Sequence, residues 1–174
     1  GVLQSLDFLR DVIEHNRDVV VIIDEAYADF SGSSALELTK EYDNVLIVQT
    51  YSKSRSLAGM RIGYAMGNPE LIRAMNDVRY SYNSYPMTRL SVALGAAALE
   101  DEAYFRETVA KVIETREWTK KELKRLGFSF RDSRTNFIFA THESVPAQTI
   151  FDVLREKHIF VRHFGQKRIE NYLR

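Results

Sequence analysis

Three short segments hold the residue types that could do chemistry: Asp24-Glu25-Ala26-Tyr27, Tyr51-Ser52-Lys53-Ser54 and Leu57-Ala58-Gly59-Met60-Arg61-Ile62-Gly63-Tyr64. A lysine amine attacks a carbonyl only when unprotonated, and neighbouring cations favour that form. Arg55 and Arg61 are the cations near Lys53 along the chain. Arg61 with Ser52 also offers a phosphate what it needs, a planar guanidinium and a hydroxyl. Asp24 directly follows the apolar run 19–23. A carboxylate there can keep a ring nitrogen protonated, because an opposite charge favours the charged form. The protonated ring is then a better electron sink. Taken alone, each residue has a plainer account: a loop lysine is usually solvated, a strand-end aspartate often caps a turn or helix, and Tyr27 can be a core residue.

The elements around these residues favour the chemical account. Residues 19–23 are a short β-branched run of the kind found in strands covered on both faces of a parallel sheet. Residues 45–48 predict a second buried strand, followed by the polar loop 50–59, and residues 62–66 a third. Asp24 and Lys53 thus follow predicted strands, and parallel α/β sheets bind ligands off the carboxyl ends of their strands. Helices are predicted over 3–15, 33–42, 69–80, with Pro69 in the first turn, and 86–99. A long helix follows over 101–126, stopped by Gly127 and supported by Glu107 with Lys111 and Glu117 with Lys121. Beyond it the pattern reads strand (128–131), strand (136–140), helix (146–157), strand (159–162) and a last strand from Tyr172. The expected fold class is α/β: a mostly parallel sheet in residues 1–100, a small α+β unit in residues 101–174, and the helix 101–126 bridging them.

Composition narrows the function. Lys and Arg total 24, equal to Asp and Glu, so net charge is zero and no nucleic-acid or anionic-membrane partner is implied. No apolar run is long enough for a bilayer. Cysteine is absent, which excludes disulfides and thiol chemistry. A cytoplasmic protein fits. His15, His142, His158 and His163 lack metal spacing and suit surface roles; Trp118 on the long helix suits packing. With no initiator Met, and with Arg174 ending inside an expected strand, the chain reads as a fragment.

Taken together and in order, Asp24 to Tyr27, Ser52-Lys53, Arg61 to Tyr64, Thr135-Asn136-Phe137, Ile159-Phe160-Val161-Arg162 and Asn171-Tyr172-Leu173-Arg174 resemble the signatures of fold-type I pyridoxal-phosphate aminotransferases. They are most similar to the histidinol-phosphate aminotransferase family, C-terminal half. The resemblance implies an aspartate aminotransferase-like fold and the cofactor pyridoxal 5'-phosphate. Lys53 would carry the cofactor as a Schiff base and later move a proton at the substrate α-carbon. Asp24 would face the pyridine nitrogen and Tyr27 the phenolic oxygen. Ser52 and Arg61 would hold the cofactor phosphate. Arg174 would clamp a substrate carboxylate with a geometry lysine cannot copy, and Arg162 would lie near the substrate side chain. The implied reaction moves an amino group between histidinol phosphate and 2-oxoglutarate in histidine biosynthesis. The implied assembly is a homodimer, with Tyr80, Tyr82 and Tyr85 at its seam.

The segment Tyr80-Ser81-Tyr82-Asn83-Ser84-Tyr85 lacks the proline–tyrosine–asparagine order expected of many members, which bears on substrate choice. A decarboxylase of a phosphorylated amino acid shares Lys53 and Asp24 and is the nearest rival. An inert truncated fragment is the non-enzymatic alternative. A phosphate-binding module of another class is disfavoured, because no glycine-rich loop precedes a helix.

Overall fold

The computed structural model describes residues 1–174, which separate into two compact units: Gln4–Val109, and Ala110–Arg174 together with Gly1–Leu3. No helix is long and apolar enough to cross a membrane.

In the first unit, α1 (Leu6–Glu14) starts at Ser5, whose hydroxyl accepts the Phe8 N–H at 3.2 Å. Strand β1 (Val21–Asp24), the single turn α2 (Leu38–Glu41), β2 (Val45–Thr50) and β3 (Gly63–Gly67) follow. The sheet order is β1-β2-β3, with β1 parallel to β2 and β2 antiparallel to β3. A parallel return needs a crossover, usually a helix. The 51–62 connection holds only the 3-10 turn Ala58–Met60 and folds back on itself instead: the Tyr51 N–H donates to the Ile62 carbonyl at 3.1 Å and the Leu57 N–H to the Tyr51 carbonyl at 3.0 Å. The helices α3 (Pro69–Tyr82) and α4 (Arg89–Glu100) then start at Asn68 and Thr88, whose side chains accept the N–H groups of Glu70 and Ser91.

The core of this unit is Ile13, Ala35, Leu38, Val45 and Ile47, with Leu6, Leu9, Val21, Ile23 and Met66 packed against it. Burial on β1 alternates, and Ile22 is 61% exposed. The continuous apolar run 19–23 is therefore not covered on both faces within this chain. Its alternate residues face the core and the others form an open face. Strand β2, between two neighbours, is the one whose first three residues are all buried.

In the second unit, α5 (Glu102–Arg125), which begins in the first unit, runs to Gly127, whose φ of +85° is the left-handed stop expected of glycine. The strands β4 (Phe128–Phe130) and β5 (Ala140–His142) pair antiparallel, and α6 (Ala147–Glu156) follows. The strand expected over 136–140 is displaced to Ala140–His142, because Ser133 and Thr135 hydroxyls bind the Phe137 backbone and hold 133–137 as a turn. The strands expected at 159–162 and from Tyr172 form no ladder. Leu173 makes isolated bridges to Ala140 and His163. Trp118, expected to pack, is 62% exposed. Glu117 pairs not with Lys121 but with Lys120 at 2.9 Å and Arg116 at 2.8 Å.

Ile47 is fully buried in the central strand. Ile47→Ala is expected to lower unfolding stability by about 2–5 kcal/mol and Ile47→Val by about 0.5–1.5 kcal/mol, read from urea unfolding.

Candidate active site

Parallel pairing puts Asp24 opposite Val48, and the Glu25 N–H adds one further ladder bond to the Val48 carbonyl at 2.8 Å. Both strands therefore open at the same edge of the sheet. Gly63 starts β3 at that edge, opposite Thr50. A Cβ on Gly63 would stand 3.2 Å from the Gln49 carbonyl oxygen, so a side chain there would press on β2. This register brings Asp24, Tyr27, Ser52, Lys53 and Arg61 to one sheet edge.

The exposed Asp24 carboxylate accepts the Ala26 N–H through Oδ1 at 2.9 Å, an Asx turn that sends the chain sideways off the strand. Tyr27, half-buried, follows. The Lys53 amine lies 5.6 Å from the centre of the Tyr27 ring, within cation–π range. The Ser52 N–H donates to the Thr50 hydroxyl at 3.1 Å, and the Thr50 hydroxyl reaches Ser52 Oγ at 3.0 Å and the Ile62 carbonyl at 3.1 Å. Arg61 sits in the left-handed region at φ 55°, donates Nη1 to the Ala58 carbonyl at 3.0 Å and is otherwise exposed. Arg55, the other cation near Lys53 in sequence, turns away. Its guanidinium stacks 4.0 Å from the Phe105 ring centre and 5.5 Å from that of Tyr51, and it donates to the Ala98 carbonyl. Of the two arginines, Arg61 is the one open at this edge.

The residues that brace the edge carry no role in the sequence pattern, although Glu25 and Tyr64 stand inside the segments it marks. The Glu25 carboxylate accepts from Ser34 Oγ at 2.7 Å, the Ala35 N–H at 2.6 Å and Gln49 Nε2 at 2.8 Å. The Tyr64 hydroxyl donates to Gln49 Oε1. Three strands are thus joined by side chains just behind the loops. Burial pushes the Tyr64 phenol up, and the Asp29 carboxylate adds to the shift. Ser54, buried, donates to Asp29. The available signal was two polar residues, Gln49 and Thr50, ending an otherwise apolar strand.

In the second unit, Arg162 and Arg174 exchange both backbone hydrogen bonds at 2.9 Å. Residues opposed in this way send their side chains to the same face. Two like charges so placed repel; each guanidinium lies over a ring, Arg162 5.2 Å from the centre of Phe164 and Arg174 5.0 Å from that of Phe137. An anion between the arginines would relieve the repulsion. Phe137 is placed by a buried network. Arg116 donates to the Thr135 carbonyl at 3.0 Å, and Lys120 binds Asp132 at 2.6 Å and Glu117 at 2.9 Å. Arg174 also borders a cavity of about 510 Å³ walled by Val112, Leu123, Phe137, Ile150 and Leu154. That cavity lies wholly within the unit that lacks Lys53 and Asp24, and its walls suit packing rather than proton transfer.

A lysine, a carboxylate and a tyrosine thus lie at the carboxyl edge of a mixed α/β sheet. Residues 1–174 match the aminotransferase class I and II family, and the chain belongs to it. It is 51% identical, over its whole length, to a histidinol-phosphate aminotransferase of Brachyspira hyodysenteriae, of which it covers 49%. The chain thus spans about half the length of the curated relatives it matches. Two solved histidinol-phosphate aminotransferases share its fold. The one from Sinorhizobium meliloti, in complex with pyridoxal-5'-phosphate, aligns with a TM-score of 0.79 at 27% identity over 94% of this chain and 46% of that one. The one from Clostridium acetobutylicum aligns with 0.82 at 23% identity, over 99% and 54% respectively.

The hydrogen bond from Lys120 holds the Asp132 carboxyl below its ordinary range, and hydrogen bonds from Lys120 and then Arg116 do the same for Glu117. Depressed folded values contribute stability above the unfolded values and lose it as pH falls through the folded ones. Stability is expected to fall on acidification below about pH 4. Lys120→Met is expected to cost more at pH 7 than at pH 3, checked by denaturant midpoints at both.

Proposed function

We propose that the protein at its native length is a pyridoxal-phosphate-dependent histidinol-phosphate aminotransferase, a cytoplasmic enzyme of histidine biosynthesis that exchanges an amino group between histidinol phosphate and 2-oxoglutarate. One observation carries the reading: parallel strands deliver Asp24 and Lys53 to the same sheet edge, with the Tyr27 ring 5.6 Å from the lysine amine. About 50% identity to relatives bearing that name supports the substrate assignment.

The donor set at this edge fits the cofactor. Asp24 has one carboxylate oxygen committed to the Ala26 N–H, leaving acceptor capacity for a ring N–H. Ser52 and Arg61 supply a hydroxyl and a guanidinium for a phosphate. Bound there, the ring would accept the electron pair left at the substrate α-carbon when its proton departs. The remaining work belongs to this chain. Lys53 Nζ would carry the cofactor and, once released, take that proton. Asp24 would hold a proton on the ring nitrogen, because its charge favours the charged form. The Tyr27 hydroxyl would donate to the phenolic oxygen. Arg162 and Arg174, sharing a face, would receive the anionic groups of the substrates: a phosphate in one half-reaction and carboxylates in the other. Exposed Met75, Val78 and Tyr82 on α3, and Leu90, Val92 and Leu99 on α4, suit the seam of a homodimer.

Borohydride reduction of the cofactor-loaded protein at native length is expected to fix the label on the Lys53 peptide. Lys53→Ala is expected to abolish the label and cut amino transfer from histidinol phosphate to 2-oxoglutarate at least about 10²-fold. A label on another lysine, or carbon dioxide release from a phosphorylated amino acid with no amino transfer from histidinol phosphate, overturns the assignment.

A further inference from the structure

We propose that the Ser54–Asp29 hydrogen bond is a latch that sets where the Lys53 turn stands relative to Tyr27, making Ser54 and Asp29 positioning residues for the lysine. This deepens the reading above and rests on it.

The β1–β2 register aligns the strands only as far as the Glu25 N–H bond to Val48. Beyond that point Tyr27 and Lys53 ride on separate loops. The Lys53 loop is a tight, self-contained turn. The Ser56 N–H donates to the Lys53 carbonyl at 3.2 Å, the Leu57 N–H donates to the Tyr51 carbonyl at 3.0 Å, and Ser56 adopts φ 56°. Such a turn can swing as one body on its ends without losing its internal bonds. The Tyr27 loop is anchored separately. It runs into a 3-10 turn, Ala28–Phe30, whose Phe30 is buried. Asp29, in the middle of that turn, is exposed and meets Ser54.

Ser54 is the residue next to Lys53, and Asp29 is two residues from Tyr27. The bond therefore joins the two loops beside the pair whose separation matters. Ser54 is 6% exposed, so its hydroxyl has no ready exchange with water. A buried hydroxyl left unpaired is costly, which holds the turn in the latched position. Arg55, the next residue, is stacked on Tyr51 and Phe105 and directs the far side of the turn away from the edge. The Lys53 amine is left facing the Tyr27 ring. With the latch broken, the turn keeps its shape and loses its placement. Misplacement by about 1 Å can slow a reaction about 10²-fold.

The test uses the protein at native length, stripped of cofactor and then given pyridoxal phosphate. The rate at which the visible band of the cofactor–lysine adduct appears is measured beside the melting temperature. Ser54→Ala and Asp29→Ala are expected each to slow the band at least about tenfold, and the double variant to be no slower than either alone. Asp29→Asn, which still accepts from the Ser54 hydroxyl, is expected within about twofold of the unmodified protein. A merely structural role would lower the melting temperature in step with the rate, whereas the latch predicts slow band formation in variants that melt within a few degrees of the unmodified protein. The non-additive pattern shows that the two residues act through their shared bond. Because Asp29 is exposed, Asp29→Ala tests the bond even where Ser54→Ala folds poorly. Unchanged rates in the alanine variants overturn the latch, and so do losses that multiply in the double variant. Asp29→Asn as slow as Asp29→Ala overturns it in favour of the aspartate's charge. No band in the unmodified protein overturns the aminotransferase reading and the latch with it.

Discussion

The parallel pairing of β1 with β2 is the constraint on which the site depends. Parallel strands end at the same edge, so a register that sets Asp24 against Val48 commits the loops after both strands to one place. The antiparallel return of β3 then brings Arg61 and Gly63 back to that edge. A one-residue slip of β1 would turn Asp24 to the opposite face of the sheet. The register itself is held from the core side by Val21 and Ile23 packed on Ile13, Leu38 and Ile47.

Behind the loops, polar side chains carry the alignment further than the backbone ladder does. Glu25, Gln49 and Tyr64 link the ends of all three strands. Asp29 and Ser54 link the loops themselves. The second unit uses the same means for its arginines. Arg116 and Lys120 brace the turn that carries Phe137, and Phe137 lies under the Arg174 guanidinium. In both units an exposed charged residue owes its position to a partly hidden polar network one step further back.

The elements flanking the site were legible in the sequence where local chemistry decides them. The short apolar runs before Asp24 and Lys53, Pro69 at a helix start and Gly127 at a helix end all act within a few residues. Burial on β1 was not legible, because an unbroken apolar run looks the same whether one face or both is covered, and Ile22 is on the open one. The strands expected at 136–140 and 159–162 failed for a different reason. Hydroxyls of Ser133 and Thr135 capture the Phe137 backbone, and Leu173 meets its partners only at single bridges. Arg55 and Arg61 are both cations near Lys53 in sequence, and spacing alone lets either lower the lysine's basicity. The aromatic rings that claim Arg55 include Phe105, fifty residues away, and no local pattern announces it.

The central claim is that one sheet edge presents Lys53 and Asp24 to opposite ends of a single cofactor ring. A crystal structure of the protein at native length with pyridoxal phosphate tests it most directly. The expected map joins Lys53 Nζ to the cofactor's aldehyde carbon and places an Asp24 carboxylate oxygen about 2.6–3.2 Å from the ring nitrogen. A cofactor joined to a different lysine, or a ring nitrogen out of hydrogen-bond reach of Asp24, would contradict the account.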